Sequence, residues 1–203
     1  DLCAAPGGKS LGLMLQGQGE ILLTCNELSM ARFKRLQSVI RDFLPREWRA
    51  QVKIEKGDGS RYGMRRPGEF DHVLVDAPCS GERHLLQTPK ELNQWSRARG
   101  KRLVPRQTAL ICSGFDSLKP GGTMVYSTCS INPAENDGVV EKLLKKRELS
   151  GVIELKSDYG ESTRWGKQIF PMDKGWGPIY AAKMEGYRMI MVLAPTAKAL
   201  EIA

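Results

Sequence analysis

Two cysteines stand where a nucleophilic thiol would be useful. Cys79 follows a predicted apolar strand that ends in Asp76, and Cys129 follows a second predicted strand that ends near Ser127. The thiolate is the nucleophilic form of cysteine, and a strand end beside Lys or Arg can lower the thiol pKa. The two positions together predict a covalent catalyst with a helper thiol.

Methylation of cytosine at carbon 5 is a reaction that needs these groups. Carbon 5 is a poor nucleophile until a thiolate adds to carbon 6, after which it takes a methyl group from a sulfonium donor. A carboxyl group at ring nitrogen 3 would stabilise the developing charge, and a second thiol would help to remove the proton from carbon 5. Asp76, Cys79 and Cys129 supply these parts.

A glycine turn near the start of the chain predicts a cofactor site. The segment Cys3 to Ser10 reads as the end of a strand, a turn and the start of a helix. A phosphate-binding loop would need a glycine in place of Cys3, and the dinucleotide pattern needs another spacing than Gly7-Gly8. S-adenosylmethionine, a nucleoside without phosphate, needs only a close turn and an acid for its ribose hydroxyls.

Three acids lie at the ends of three consecutive predicted strands. Glu27 stands where a ribose-binding acid belongs, Asp58 is placed to reach an adenine, and Asp76 ends the next strand. Each acid alone is interpreted as an ordinary loop or helix-cap residue. Three of them in succession favour the cofactor site.

Strands and helices alternate along the chain, which predicts an α/β fold with a mainly parallel sheet and helices on both faces. Ligands of such sheets bind at the carboxyl ends of the strands, where all of these motifs fall. The predicted helices cover 8–16, 29–43, 103–118 and 133–146, with a turn at 119–122. The predicted strands cover 1–3, 20–26, 51–55, 70–75, 123–127, 152–155, 179–184 and 187–193.

Composition narrows the class of protein. The chain has 203 residues, 41% of them hydrophobic, and a formal net charge of +8, which favours a polyanionic partner such as nucleic acid. Five cysteines without a C-x-x-C pair argue against a disulfide scaffold or a zinc site and favour a reducing compartment. Cys25 and Cys112 are interpreted as small core side chains, whereas Cys3 lines the turn without an evident task.

No apolar run is long enough to span a membrane, and no signal segment opens the chain. The abrupt start inside a strand-to-loop junction suggests a fragment that lacks N-terminal residues.

Three basic runs are candidate RNA contacts, although the last run is equally well interpreted as complementing a helix dipole. These runs are Arg97, Arg99, Lys101, Arg102 and Arg106; Arg61, Arg65 and Arg66; and Lys142, Lys145, Lys146 and Arg147.

Three segments in the same order are similar to those of the Sun-type RNA cytosine-5 methyltransferase family, over Asp1 to about Met184. The segment 1–9 resembles the family's cofactor turn, 76–81 its fourth motif and 127–130 its sixth. Pro133-Ala134-Glu135-Asn136 resembles the segment that follows. The segment 176–180 looks like that of the organellar branch, which modifies mitochondrial ribosomal or transfer RNA.

The resemblance implies a Rossmann-like class I S-adenosylmethionine-dependent methyltransferase domain over residues 1–203. It implies that Cys129 attacks carbon 6 and that Cys79 assists proton removal and enzyme release, with Asp76 and Lys9 beside them. A target base must leave its stack to reach Cys129. The residues implied to bind S-adenosylmethionine are Cys3, Ala4, Ala5, Pro6, Gly7, Gly8, Lys9, Glu27, Arg32, Asp58, Gly59 and Asp76.

Several alternatives remain open. A DNA cytosine methyltransferase would use the cysteine of a Pro-Cys motif, which here is Cys79, but no glutamine follows it. An amino-group methyltransferase would prefer Asp-Pro-Pro-Tyr at position 76. A non-catalytic RNA-binding scaffold is the third alternative.

The mitochondrial matrix is the expected location, with cytoplasm or nucleus as alternatives. A partner protein or an N-terminal region is expected to supply RNA specificity. Arg83, His84 and Trp95 are candidates to line the path of the base.

Overall fold

Two pairs of parallel strands form the part of the sheet that carries the candidate site. The computed structural model describes residues 1–80, 97–147, 151–170 and 177–186. Strand β1 (Leu23–Glu27) pairs with β2 (Val52–Lys56), and β3 (Phe70–Asp76) pairs with β4 (Leu118–Thr128). The parallel arrangement brings the carboxyl ends of paired strands to one edge.

The first residues of the chain lie between these two pairs. Leu2 donates its N–H to the carbonyl of Leu74 in β3, and Ala4 donates to Asn26 in β1, both at 2.9 Å. The Asn26 side chain also donates to the Leu2 carbonyl at 2.9 Å. The predicted strand at 1–3 is therefore not a regular strand, yet it occupies a strand position because its backbone bonds to neighbours on both sides.

The far side of the sheet is antiparallel, so the sheet is mixed rather than mainly parallel. Four further strands are β5 (Gly151–Ile153), β6 (Glu161–Ser162), β7 (Lys167–Ile169) and β8 (Ile179–Glu185). Strand β8 runs antiparallel to β4, β5 and β7, and β6 pairs antiparallel with β7. The short connection between β6 and β7 permits only this direction, because parallel neighbours need long crossovers.

Four of the five α-helices in the described residues overlap predicted helices, whereas the short helix Tyr62–Arg65 was not predicted. The five helices are α1 (Gly8–Gln16), α2 (Met30–Phe43), α3 (Tyr62–Arg65), α4 (Arg97–Asp116) and α5 (Asp137–Lys146). The predicted turn at 119–122 is an irregularity inside β4, where the register jumps from Phe70↔Leu118 to His72↔Thr123. The predicted strand at 187–193 lies outside the described residues.

Two hydrophobic clusters hold these elements together. The first joins α1 and α2 to β1 through buried side chains that include Met14, Cys25 and Leu36. The second joins α4 and α5 to β3, β4 and β8 through buried side chains that include Tyr126 and Ile111. Burial of such side chains supplies about 1.5–3 kcal/mol each. Among the described residues, no helix has both the length and the apolar character needed to cross a membrane.

Candidate active site

The glycine turn brings the backbone close to the N-terminus of α1. Gly7 has a φ of 118°, which disfavours any residue with a side chain, and a Cβ built there would lie 2.8 Å from Val39 Cγ1 in α2. At Gly8 no atom lies within 4 Å of a built Cβ, so the turn has open space on that side. The first N–H groups of the nine-residue helix α1 are free to meet a ligand here.

Glu27 ends β1 beside this turn and is 4% exposed. Its Oε1 accepts a hydrogen bond from the Ser29 N–H at 2.9 Å, and Arg32 Nη1 lies 3.7 Å from its Oε2. Arg32 also donates to the Ala5 carbonyl, which ties the turn to α2. Glu27 Oε2 is buried and accepts no hydrogen bond from any described residue. An orphaned buried acceptor fits the hydroxyl of a bound ribose.

Asp58 follows β2 and caps the 3-10 turn Gly59–Arg61. Its Oδ1 accepts from the Ser60 N–H at 3.0 Å and from the Ser60 hydroxyl at 2.8 Å. The hydroxyl bond holds the pKa of this carboxyl below its usual range. A Cβ at Gly59 would lie 2.9 Å from Leu110 Cδ2, so glycine permits the close approach to α4. Asp58 is therefore a helix cap as well as a residue at the predicted site.

Asp76 ends β3 and is shared by two donors. Lys9 Nζ, on the first turn of α1, lies 2.8 Å from Asp76 Oδ2, and the Ser127 hydroxyl donates to Oδ1 at 3.2 Å. Asp76 pairs with Ser127 in the parallel register of β3 and β4. The structure thus joins the cofactor turn to the cysteine-bearing strand ends through one carboxylate.

Cys79 and Cys129 meet because they follow these two paired positions by three and two residues. Their Cα atoms are 6.3 Å apart, and the structure joins their sulfur atoms as a disulfide. The Cys129 N–H also points to Cys79 Sγ at 3.3 Å. The composition argued against disulfides, so this pairing differs from the sequence-based expectation. Its physical reason is the parallel register, which brings two polar loops to the same edge.

The other cysteines are unsuited to nucleophilic attack. Burial raises the pKa of the Cys3 thiol to about 12, with help from the negative charges of Glu27 and Asp76. Burial also raises the pKa values of Cys25 and Cys112. Since the thiolate is the reactive form, these three side chains remain neutral thiols. The interpretation of Cys25 as a core side chain agrees with its complete burial.

A family model described as 16S rRNA methyltransferase RsmB/F matches residues 1–185 of this chain. The chain belongs to this family. The match includes the glycine turn, both cysteines and β8, so it covers every element of the site described above. The family assignment agrees with the Sun-type resemblance of the motifs.

Two curated proteins are similar to this chain over most of its length. The mitochondrial tRNA (cytosine(34)-C(5))-methyltransferase of Danio rerio is 36% identical, over 91% of this chain and 54% of its own length. The 5-cytosine rRNA methyltransferase NSUN4 of Xenopus laevis is 35% identical, over 91% of this chain and 50% of its own length. The chain therefore spans about half the length of the curated relatives it matches.

Solved structures show the same Rossmann-like α/β fold. NSun6 from Pyrococcus horikoshii with SFG superposes with a TM-score of 0.75 at 22% identity, over 90% of this chain and 46% of that one. A methyltransferase homologue from Pyrococcus horikoshii gives a TM-score of 0.71 at 24% identity, over 92% of this chain and 60% of that one.

Three of the seven basic residues in two of the predicted RNA-binding runs are paired with carboxylates. Arg66 lies 3.4 Å from Glu55 Oε1 and also pairs with Glu69, while Arg147 binds Asp116 with both contacts at 2.6 Å. Lys145 lies 3.7 Å from Glu141. In the remaining basic run, which begins at Arg97, the side chains of Lys101, Arg102 and Arg106 are exposed on α4. The side chains of Arg97 and Arg99, together with Arg83, His84 and Trp95, lie outside the described residues.

No role could be predicted from the sequence for Ser127, Gln107 or Glu135. Ser127 binds Asp76, and its position directly opposite in the register was readable only once β3 and β4 were paired. Glu135 lies in the segment that resembled the family but carried no chemical signal, because its partners are far away in sequence. No group of three or more described His, Cys, Asp or Glu side chains is arranged to hold a metal ion.

Proposed function

We propose that this chain is the catalytic domain of an RNA methyltransferase that methylates carbon 5 of cytosine with S-adenosylmethionine. The observation that carries the proposal is the meeting of Cys79 and Cys129 beside the Lys9–Asp76 pair. The names of the relatives, which are tRNA and rRNA cytosine methyltransferases, support the same reaction.

The cofactor would lie against the glycine turn. The close-packed Gly7, the open side of Gly8 and the orphaned Glu27 oxygen fit a nucleoside with a free ribose edge. Arg32 orients Glu27, and Asp58 with Gly59 would border the adenine. When bound, S-adenosylmethionine would supply the methyl group that carbon 5 receives, and the sulfonium sulfur would keep the electrons of the broken bond and leave as the neutral thioether of S-adenosylhomocysteine.

The reduced Cys129 thiolate attacks carbon 6, and the new carbon–sulfur bond pushes the electrons of the ring double bond toward carbon 5 and nitrogen 3. Asp76 and Lys9 hold this edge of the base and place a proton at nitrogen 3. After carbon 5 is methylated, the Cys79 thiolate takes the proton from it. The electrons of that carbon–hydrogen bond restore the double bond and expel Cys129 as a thiolate, and the proton on nitrogen 3 returns to the Lys9–Asp76 pair.

The disulfide form cannot perform this reaction, because both sulfurs are consumed in one bond. The working state is therefore the dithiol, which agrees with a reducing compartment. We place the protein in mitochondria, supported by the mitochondrial relative of Danio rerio. Fractionation of cells that carry the tagged full-length protein tests this location, and exclusion from mitochondria contradicts it.

Selection of the RNA is proposed to need a partner protein or a further region of the protein. The exposed cations of α4 suit phosphate contacts, which give affinity but carry little sequence information. The reduced chain should bind ribosomal, transfer and unrelated RNA with similar affinity in a filter-binding assay. A strong preference of this chain alone for one RNA would contradict the proposal.

Methyl transfer from labelled S-adenosylmethionine to cytosine-containing RNA tests the function, with the product identified by mass spectrometry of nucleosides. 5-Methylcytidine is the expected product. Methylation of the exocyclic amino group, or of DNA in preference to RNA, would support one of the alternatives instead. Failure of the reduced protein to transfer any methyl group would favour a non-catalytic scaffold.

Calorimetry with S-adenosylmethionine tests the cofactor site separately. Glu27→Gln should weaken binding, because the substituted amide cannot accept ribose hydroxyls with both of its polar atoms. Glu55→Gln, on the neighbouring strand β2, is the control and should bind normally. Equal affinity of both variants and wild type would remove Glu27 from the site.

A further inference from the structure

Glu135 is a buried carboxylate that lies between β4 and α5. Its side chain is 0% exposed. It accepts hydrogen bonds from the Ser80 N–H and Gln107 Nε2, both at 2.9 Å, and from Asn132 Nδ2 at 3.3 Å. The hydroxyls of Ser80 and Ser130 also donate to it. Every donor found for Glu135 in the described part of the chain is neutral.

These donors come from the residues that adjoin the two cysteines. Ser80 directly follows Cys79, Ser130 directly follows Cys129, and the two hydroxyls are 3.2 Å apart. Gln107 donates at 2.9 Å to the carbonyl of Pro78, which precedes Cys79. Glu135 therefore binds the loop of each cysteine and, through Gln107, connects both loops to α4.

A charged group at this position is costly unless its geometry is useful. Burial of a carboxylate without a cation costs roughly several kcal/mol of desolvation free energy, and a neutral side chain would fill the same space at a lower cost. A carboxylate, however, is an acceptor with about four lone-pair sites and can hold donors from several loops at once. The pairing of β3 with β4 sets the register of the two loops, and this one side chain adds hydrogen bonds to both loops beyond the strand ends.

We propose that Glu135 is a positioning residue for the cysteine pair. It holds the loops of Cys79 and Cys129 so that one sulfur reaches carbon 6 of the base while the other reaches the proton on carbon 5. The inference rests on the proposed function and adds a residue that touches neither the base nor the cofactor. Displacement of a reacting group by about 1 Å can cost about 10²-fold in rate.

The test measures the rate of covalent adduct formation with RNA that contains 5-fluorocytosine, under reducing conditions and with saturating RNA and S-adenosylmethionine. Glu135→Ala removes all acceptors and should slow adduct formation about 10²-fold. Glu135→Gln keeps the size and one acceptor oxygen and should be slowed less. Both variants should bind S-adenosylmethionine as wild type does, because Glu135 has no contact with the glycine turn.

Gly100→Ala tests the same geometry without removing any hydrogen-bonding group. A methyl group built at Gly100 would lie 2.6 Å from Asn132 Nδ2 and 3.0 Å from Glu135 Oε1, so it displaces both side chains. Adduct formation should slow in this variant too. If Glu135→Ala does not fold, Glu135→Gln and Gly100→Ala decide the question, with folding checked by thermal melting.

Ser113→Ala is the stability control. It removes a buried hydrogen bond of 2.8 Å from the Gly63 N–H to the same helix α4, away from the cysteines. It should lower the melting temperature without slowing the reaction. Wild-type rates in folded Glu135 and Gly100 variants would overturn the positioning role, as would an equal rate loss in Ser113→Ala. A wild-type protein that forms no adduct and transfers no methyl group would instead refute the proposed function and, with it, this role.

Discussion

Lys9→Met should separate the chemistry of the site from the stability of the fold. Lys9 is paired with Asp76 at 2.8 Å, and the two side chains are 51% and 29% exposed. Ion pairs with this much exposure stabilise proteins by about 0–1 kcal/mol. Methionine keeps the apolar stem of the side chain and the helical propensity of α1. The Lys9→Met variant should therefore fold, with little change in its melting temperature.

The rate of methyl transfer should fall far more. Loss of Lys9 removes the cation beside Asp76, which is the proposed proton source for ring nitrogen 3 of the base. Removal of one such donor at developing charge costs about 10²-fold or more in rate, which corresponds to about 2.7 kcal/mol of activation free energy. Single-turnover methyl transfer at saturating RNA and S-adenosylmethionine measures this loss directly.

Strand β3 offers a matched control at its opposite end. Lys119 pairs with Asp71 at 2.8 Å, and the Lys119 side chain is 47% exposed, close to the value for Lys9. Lys119→Met removes a similar ion pair from the amino end of the strand and should leave the rate unchanged. The reasoning is refuted if Lys9→Met keeps the wild-type rate, or if both variants lose activity to the same degree.

Two further predictions concern thiols and the glycine turn. In the reduced protein at pH 8, an alkylating agent should modify Cys79 and Cys129 first. A pKa of about 12 leaves only about one Cys3 side chain in 10⁴ as the reactive thiolate. Early labelling of Cys3, Cys25 or Cys112 in peptide mass spectra would contradict the raised pKa values of these thiols. Gly7→Ala should lower the unfolding free energy by about 2–5 kcal/mol, from its positive φ and its clash with Val39. In denaturant titrations Gly8→Ala should be tolerated, and equal stability of the two variants would disprove the role of Gly7.

The sequence predicted the elements that carry strong local signals. Helix α1 begins and ends as predicted, because the glycines at 7 and 8 mark its start and those at 17 and 19 its end. Strand β3 was found to within one residue from its apolar run. The antiparallel strands β6 and β7 were missed, since two or three residues are too few to show an alternating pattern.

The sequence predicted those residues of the candidate site that lie at or just after the ends of strands. The positions of Glu27, Asp76, Cys79 and Cys129 follow from the rule that ligands meet parallel strands at their carboxyl ends. The Lys9–Asp76 pair and the Glu135 network depend on contacts 67 and 55 residues apart in sequence, which no local pattern encodes. The basic runs stay a prediction as RNA contacts, and a sequence does not show that Arg66 and Arg147 are paired with nearby carboxylates.

Covalent trapping with 5-fluorocytosine RNA tests the central claim most directly, because fluorine at carbon 5 blocks the last proton removal. The reduced wild-type protein with S-adenosylmethionine should form an adduct that survives denaturing electrophoresis. Cys129→Ala should form none, whereas Cys79→Ala should still be trapped. Trapping that persists in Cys129→Ala and is lost in Cys79→Ala would contradict the assignment of Cys129 as the nucleophile.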